Sequence, residues 1–439
     1  MMRIGIIGGG LMGMALAYFL SKAGKQVTVL EQSASLGGLN SSAYLENNLR
    51  IARYQHNILP NDHAIRLLCQ ELNLADELVF FPARSGFVHS GHIYDMSTLR
   101  DFTTFGPLRF IDRIRLGAVI LKALRIRDWR LLDQMSAKDW LIQTGGKQTF
   151  DQIWAPLLEA KFAYTYEDIP ATYIWMWLNR MMAIRRGPGL KGYVGHLKHG
   201  HEILIQAMAD YIIAQGGQIF TEMRVREIEL TGGVMGQVRT HAGMMSFDVL
   251  IAALPTPLFA QLILGAHEDY LARLERSQYL GLICPSLVLE RPLSPYWTLN
   301  LTDPSSPFSS IIGMPHPENS RYHVVYLPKY TAPENDWMGV PDEDIRDAWL
   351  LRLRQIFPDL KMEEIRHFII SRSRFVEPVH HLNALTTLVP VQTPYAGLYL
   401  ANTSQVYPGL PTSEIAITHA QRVAQIVIEQ SRQHIRTVA

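Results

Sequence analysis

The chain has 439 residues, 48% of them hydrophobic and 18% charged, with a formal net charge of +1 at pH 7. This balance excludes a disordered chain and a basic protein drawn to nucleic acid, and the length exceeds one ordinary core, so two domains are expected. Two cysteines, Cys69 and Cys284, exclude a disulfide framework and a zinc site and fit a reducing compartment.

Arg3 to Ile7 is a short β-branched apolar run, the pattern of a buried parallel strand. Gly8-Gly9-Gly10-Leu11-Met12-Gly13 then matches GxGxxG. A helix is expected from Leu11 to Ala23, stopped by Gly24, and a second strand from Val27 to Leu30 ends at Glu31. Gly8 allows the tight turn, Gly10 lets backbone approach a pyrophosphate, and Gly13 lets the helix pack on the strand. The first helical amides, from Leu11 and Met12 onward, carry the positive end of the helix dipole toward that phosphate. Glu31 would accept hydrogen bonds from the ribose of an adenosine. A chance glycine cluster would not also bring strand, helix, strand and terminal acid into register.

Glu31 leads through five residues to Gly37-Gly38 and then Leu39-Asn40-Ser41-Ser42. With this second glycine pair the chain resembles the flavoprotein superfamily of amine oxidases, protoporphyrinogen oxidases and phytoene desaturases. The resemblance implies non-covalent FAD rather than NAD, with Gly37, Gly38, Leu39 and Ser42 added to the cofactor set. No cysteine follows Cys284 to carry flavin covalently. It also implies that the stretch from Asn47 to Pro60 passes near the flavin ring, which makes Tyr54 and His56 candidates to face it; His56 is the candidate base.

Apolar spacing predicts a helix within 62–78 and a β-hairpin around Ser90-Gly91. Residues 108–132 are apolar and strongly basic together, with seven Arg or Lys against Asp112 and Asp128. Three readings stay open: helices with solvated basic faces, a patch docking on anionic lipid with Leu116, Val119, Ile120 and Leu121 dipping in, or arginines for an anionic substrate. Protoporphyrinogen oxidases use this region for membrane contact. The aromatic and methionine-rich stretches 150–166 and 171–182 form either core or the wall of a pocket for a large apolar or planar substrate. A Gly-Pro loop at 185–195 marks the return crossing, and His199 and His201 precede a helix from Glu202 to Gln215.

In the resembled proteins a residue at the place of Val225 pairs its backbone with adenine, and the strand ending at Ala253 re-enters the FAD sheet. Residues 279–374 read mostly as antiparallel strands. Amine oxidases carry a lysine on the strand that corresponds to 280–289; this chain has none there, and Lys161 or Lys329 would have to substitute. Near the end, Asn402 stands where an acid often meets the ribityl or phosphate region. Ser413 and Glu414 open the helix expected against the pyrimidine end of the flavin, with Thr412 where amine oxidases place an aromatic residue.

The fold class expected is α/β: a discontinuous Rossmann-type FAD-binding domain (1–79, 191–278, 386–439) with an inserted mixed α+β substrate domain (80–190, helical; 279–385, antiparallel sheet). The expected activity is dehydrogenation of a small-molecule substrate by hydride transfer to flavin N5. The alternative is a non-redox isomerase or mutase similar to UDP-galactopyranose mutase. No electron acceptor is legible. No secretory signal and no membrane-spanning run are read, so the expected place is the cytoplasm, at the inner face of a membrane if the basic patch docks.

Overall fold

The computed structural model describes residues 2–46, 49–183, 185–186, 191–316, 319 and 321–438. Residues 187–190 of the expected Gly-Pro loop lie outside them, as does the start of the stretch at Asn47.

Strand β1 (Arg3–Ile7), helix α1 (Leu11–Lys22) and strand β2 (Gln26–Leu30) form the opening unit, and Gly24 follows the helix with φ +72°. Among the described residues, β1 and β2 belong to a five-stranded sheet in the order Gln218–Phe220, β2, β1, Val249–Ala252, Leu398–Leu400. Every pairing in it is parallel, with Ile6 opposite both Val29 and Ile251. Three distant stretches of chain therefore build one sheet.

Alternate side chains of these strands face opposite sides. Ile4, Ile6, Val27, Val29 and Ile251 pack beneath α1, the helix Glu202–Ala214 and the final helix Ser413–Val438. Ile7, Leu30, Leu250, Ala252, Leu398 and Leu400 face the antiparallel strands Val225–Thr231 and Val234–Thr240. Buried on both sides, α1 is apolar almost all round, with ten of its twelve residues buried.

The second large sheet is organised by Gln278–Leu289, paired along its length with Ile365–Val379. The hairpin Ser85–His89 and His92–Asp95 turns at Ser90-Gly91, both with positive φ, and adds to this sheet beside Thr298–Leu301 in parallel. The region is not only strands. Asp342–Ile356 is a helix whose Ile345, Trp349, Leu353 and Ile356 are buried against the sheet.

The basic segment forms one helix, Phe110–Arg125, followed by the 3-10 turn Arg130–Gln134. Three of the four residues that a lipid-docking patch would dip in are not exposed. Leu116 and Val119 are buried against Trp140 and Leu141 of Ala137–Gly145, and Ile120 is half-buried; of the four only Leu121 is exposed. The helix uses that stripe to hold onto its own domain. No described helix is long and apolar enough to cross a membrane.

Candidate functional site

The glycine loop leaves the sheet where strand order reverses: β2 and Gln218–Phe220 lie on one side of β1, Val249–Ala252 and Leu398–Leu400 on the other. In an open parallel sheet the strand ends diverge there and leave a crevice. Gly13 brings α1 against the loop so closely that a Cβ on it would stand 1.9 Å from the Gly8 carbonyl oxygen. Gly10 is different. A Cβ there would meet nothing closer than the Gly37 carbonyl oxygen at 3.9 Å. Side-chain bulk at 10 is thus not excluded by the protein itself, which is what a loop shaped for close approach of a ligand requires. Gly10 also offers α1 no capping side chain, so the first amides of the helix, at Leu11, Met12 and Gly13, are left for an anion.

The second glycine pair lies alongside. Gly37, with φ +110°, bridges to Gly10, and its N–H donates to the Gly9 carbonyl at 2.8 Å. Gly38 begins a short 3-10 turn through Leu39 and Asn40. Asn40 is buried, yet its side-chain Nδ2 has no hydrogen-bond partner. Such a donor normally finds one. An uncapped helix start, an open Gly10 and an orphaned amide on one wall fit a dinucleotide's diphosphate and ribityl oxygens.

Glu31 is buried at the end of β2. Its Oε2 accepts from the Gly9 N–H at 2.6 Å and its Oε1 from the Ser33 N–H at 2.8 Å. The acid therefore shapes the glycine loop, and each oxygen keeps a lone pair for a ribose hydroxyl. Val225 starts its strand just beyond Met223, whose N–H donates to the Glu31 carbonyl at 2.7 Å. Ala253 donates to the Ile7 carbonyl at 2.8 Å and its own carbonyl lies against Gly8. Gly8, Gly10, Gly13, Glu31, Gly37, Gly38, Val225 and Ala253 are thus brought to one edge of the sheet.

Two expected cofactor residues have other work. Both ends of the Asn402 amide are engaged internally: Nδ2 donates to the Leu254 carbonyl and to Thr256, and Oδ1 accepts from Ser404. Asn402 ties the loop after Ala253 to the loop after Leu400. Glu414 turns away to the helix His63–Glu71, accepting from the N–H groups of His63, Ala64 and Ile65 at 2.9–3.0 Å. A carboxylate there satisfies orphan amides and the helix dipole.

Ser413 bonds His201 Nε2 at 3.1 Å, and His201 packs against His56 with ring centroids 5.1 Å apart. His56 in turn bonds the Leu39 carbonyl through Nε2 at 2.8 Å. Ser42, His56, His196 and His201 line a small pocket of about 40 Å³. Burial, against the bond to Leu39, lowers the His56 pKa; burial, then His56 and His196, push His201 well below the usual imidazole value; burial takes His196 down to about 4. These are neutral, packed histidines. His56, the expected candidate base, lines this small pocket and not the larger cavities. Tyr54 is buried among Ile51, Leu282 and Tyr326, and the exposed His199 pairs with Glu77.

The larger cavities lie where residues of the expected substrate domain meet residues of the expected FAD-binding domain. One of about 310 Å³ is bounded by Trp154, Tyr173 and Trp177 and by Leu410, Pro411 and Thr412, the residues that lead into the final helix. It shares Lys161 and Tyr330 with a neighbouring cavity of about 940 Å³, which Lys329 also lines. Lys161 was legible as a candidate; its partner was not. The Lys161 Nζ lies 2.7 Å from Glu377 Oε2, 216 positions away, and 4.4 Å from the centre of the Tyr330 ring. Desolvation would lower the Lys161 pKa, but Glu377, Tyr173 and Tyr330 outweigh it and hold the ammonium well above its usual range. Burial lowers the pKa of Lys329, which sits over the Trp337 ring at 5.1 Å. No arginine of 108–132 lines these cavities.

Residues 11–428 match the model of the flavin-containing amine oxidoreductases. The chain belongs to that family. It is an FAD-dependent oxidoreductase of the α/β class expected from its opening motif. This flavoprotein is 23% identical to the 15-cis-phytoene desaturase of Solanum lycopersicum, over 98% of this chain and 78% of that one. A 15-cis-phytoene desaturase of Synechococcus elongatus is 24% identical, over 81% of this chain and 80% of that one. Among solved structures, reduced UDP-galactopyranose mutase superposes with a TM-score of 0.75 at 14% identity, covering 98% of this chain and 96% of that one.

Proposed function

We propose that this flavoprotein dehydrogenates a C–C or C–N bond of an apolar or planar organic substrate. The observation that carries this reading is the aromatic-walled cavity closed by Leu410–Thr412, directly before the helix Ser413–Val438. FAD, when bound, supplies the hydride acceptor at N5. The glycine loop, Glu31, Asn40 and the start of α1 would hold its diphosphate and ribose; Leu39, Ser42, Val225, Ala253 and Ser413 would line its path. Trp154, Tyr173 and Trp177 orient a flat substrate and exclude water. The similarity to phytoene desaturases favours an unsaturated hydrocarbon framework. A mutase acting on a diphosphate sugar would need cations at its substrate, and no arginine of 108–132 lines the cavity.

The test is anaerobic mixing of the FAD-loaded protein with candidate substrates. Bleaching of the oxidised flavin band is expected. Turnover with no external acceptor and no net bleaching would instead establish the isomerase class.

We read the basic helix as a lipid contact through Leu121, as expected, and through five further exposed apolar residues. Phe110, Ile111, Ile114, Leu121, Leu124 and Leu131 are exposed, Phe110 by 71% and Leu131 by 75%. Arg109, Arg115, Lys122, Arg125, Arg127 and Arg130 are exposed beside them. Apolar side chains ringed by cations suit an anionic bilayer surface. Sedimentation with phosphatidylserine vesicles, lost in Phe110→Ser/Leu131→Ser, is expected; equal recovery with and without vesicles would remove this reading.

A further inference from the structure

The cavity before the final helix is aromatic, yet one side of it is ionic. Lys161 comes from the helix Ala155–Phe162, Tyr173 from Ala171–Ala183, Tyr330 from the strand Lys329–Thr331 and Glu377 from Ile365–Val379. Four elements thus converge on one ammonium. Its Nζ lies 2.7 Å from Glu377, 4.4 Å from the Tyr330 ring centre and 5.7 Å from that of Tyr173. Lys161 and Glu377 keep only 20% and 10% of their side-chain surface exposed. Removing such a pair from water is costly, and apolar side chains of the same volume would close the wall at no loss of stability. A wall meant for hydrocarbon alone has no use for it.

Its position gives it a use. Lys161 and Tyr330 belong to the walls of both the 310 Å³ and the 940 Å³ cavities, so the cluster stands where the two meet. Glu377 and Tyr173 line the smaller of them, with Asn300 and Ser310 among its other polar groups. The charges of Lys161 and Glu377 cancel. A carboxylate entering here would face Glu377, and an ammonium would face Lys161. A neutral group that both accepts from the ammonium and hydroxyls and donates to the carboxylate meets no such opposition.

We propose that Lys161, Glu377, Tyr173 and Tyr330 form the polar subsite of the substrate cavity and take a neutral hydroxyl group carried by an otherwise apolar or planar substrate. This rests on the reading of that cavity as the substrate site. The substrate is then not a bare hydrocarbon: it is held at one end by oxygen, which fixes which of its C–H bonds is presented.

The experiment titrates the FAD-loaded protein with benzyl alcohol, toluene, benzoate and benzylamine, reading binding by calorimetry and by perturbation of the flavin spectrum. Benzyl alcohol is expected to bind at least ~10-fold more tightly than the other three, about the size expected for a hydrogen bond to a charged group. The preference should vanish in Lys161→Met/Glu377→Gln, which removes both charges together and leaves neither buried alone, while FAD content is unchanged. Tyr330→Phe, which deletes one hydroxyl, serves if the double variant does not fold, and should reduce the preference. Equal affinity for toluene and benzyl alcohol, or a preference that survives in the folded variants, overturns the subsite. Binding seen by calorimetry that leaves the flavin spectrum unperturbed for all four probes fails the reading of the cavity as the substrate site instead, so the two failures are distinct.

Discussion

Gly10 and Gly13 belong to the same motif but should fail in different ways when given a methyl group. At Gly13 the new Cβ would stand 1.9 Å from the Gly8 carbonyl oxygen, where ordinary contact begins near 3.4 Å. Helix and loop would have to part by about 1.5 Å, and overpacking of this kind costs about 1–3 kcal/mol. At Gly10 the Cβ meets only the Gly37 oxygen at 3.9 Å, so Gly10→Ala should fold as the parent does. Its methyl would instead occupy the approach of the diphosphate. Losing one charge-assisted contact there costs about 1.5–3 kcal/mol, or about 10- to 150-fold in FAD affinity. The assay is a thermal melt of each apoprotein followed by FAD titration. Gly13→Ala should lower both the melting temperature and the affinity; Gly10→Ala should lower the affinity alone. Unchanged FAD binding by Gly10→Ala would refute the claim that this loop seats the diphosphate.

Glu414→Ala removes the acceptor of three amides at the start of His63–Glu71, and should cost about 2 kcal/mol in a denaturant titration while FAD affinity stays within a few-fold. Loss of FAD without loss of stability would return Glu414 to the cofactor set. The buried histidines make the fold acid-sensitive. Burial depresses His196 from 6.5 to about 4, so the unfolded chain binds the proton that the folded one refuses, and stability falls as pH drops below about 6.5. His196 alone accounts for about 3 kcal/mol once the pH is below its folded value. Melts from about pH 7 to about pH 4.5 should show the decline, and His196→Gln should flatten it; parallel curves would contradict the assignment. Burial raises the Cys69 and Cys284 thiols to about 11 and about 12. A disulfide reagent near pH 8 should leave both untouched in the native protein and label both after denaturation; rapid native labelling would show that the core opens.

The opening unit was readable because its signals are local. Strand, glycine spacing, helix and terminal acid lie within 31 residues, and Gly13 answers to Gly8 in the same motif. The helix Asp342–Ile356 was also written locally, in Ile345, Trp349, Leu353 and Ile356 and three acids in its first turn, but flanking alternating strands masked it. Leu116 and Val119, expected to dip into lipid if the segment docks on a membrane, pack inside instead, because periodicity identifies an apolar stripe and not its partner. Leu116 and Val119 form the stripe that Trp140 covers, which leaves Phe110, Ile111 and Ile114 outside.

Composition and spacing alone therefore determined the nucleotide-binding unit and the α/β class, since a few contiguous residues suffice to make a turn, a helix start and a buried strand. Tertiary packing decided what the distant side chains do. Glu414 reaches a helix about 350 positions earlier, Asn402 ties two loops together, and Lys161 meets Glu377 across 216 positions. A charged or polar side chain bonds whatever group folding sets within about 3 Å of it, and that neighbour is chosen by how sheets and helices stack rather than by anything adjacent in the chain.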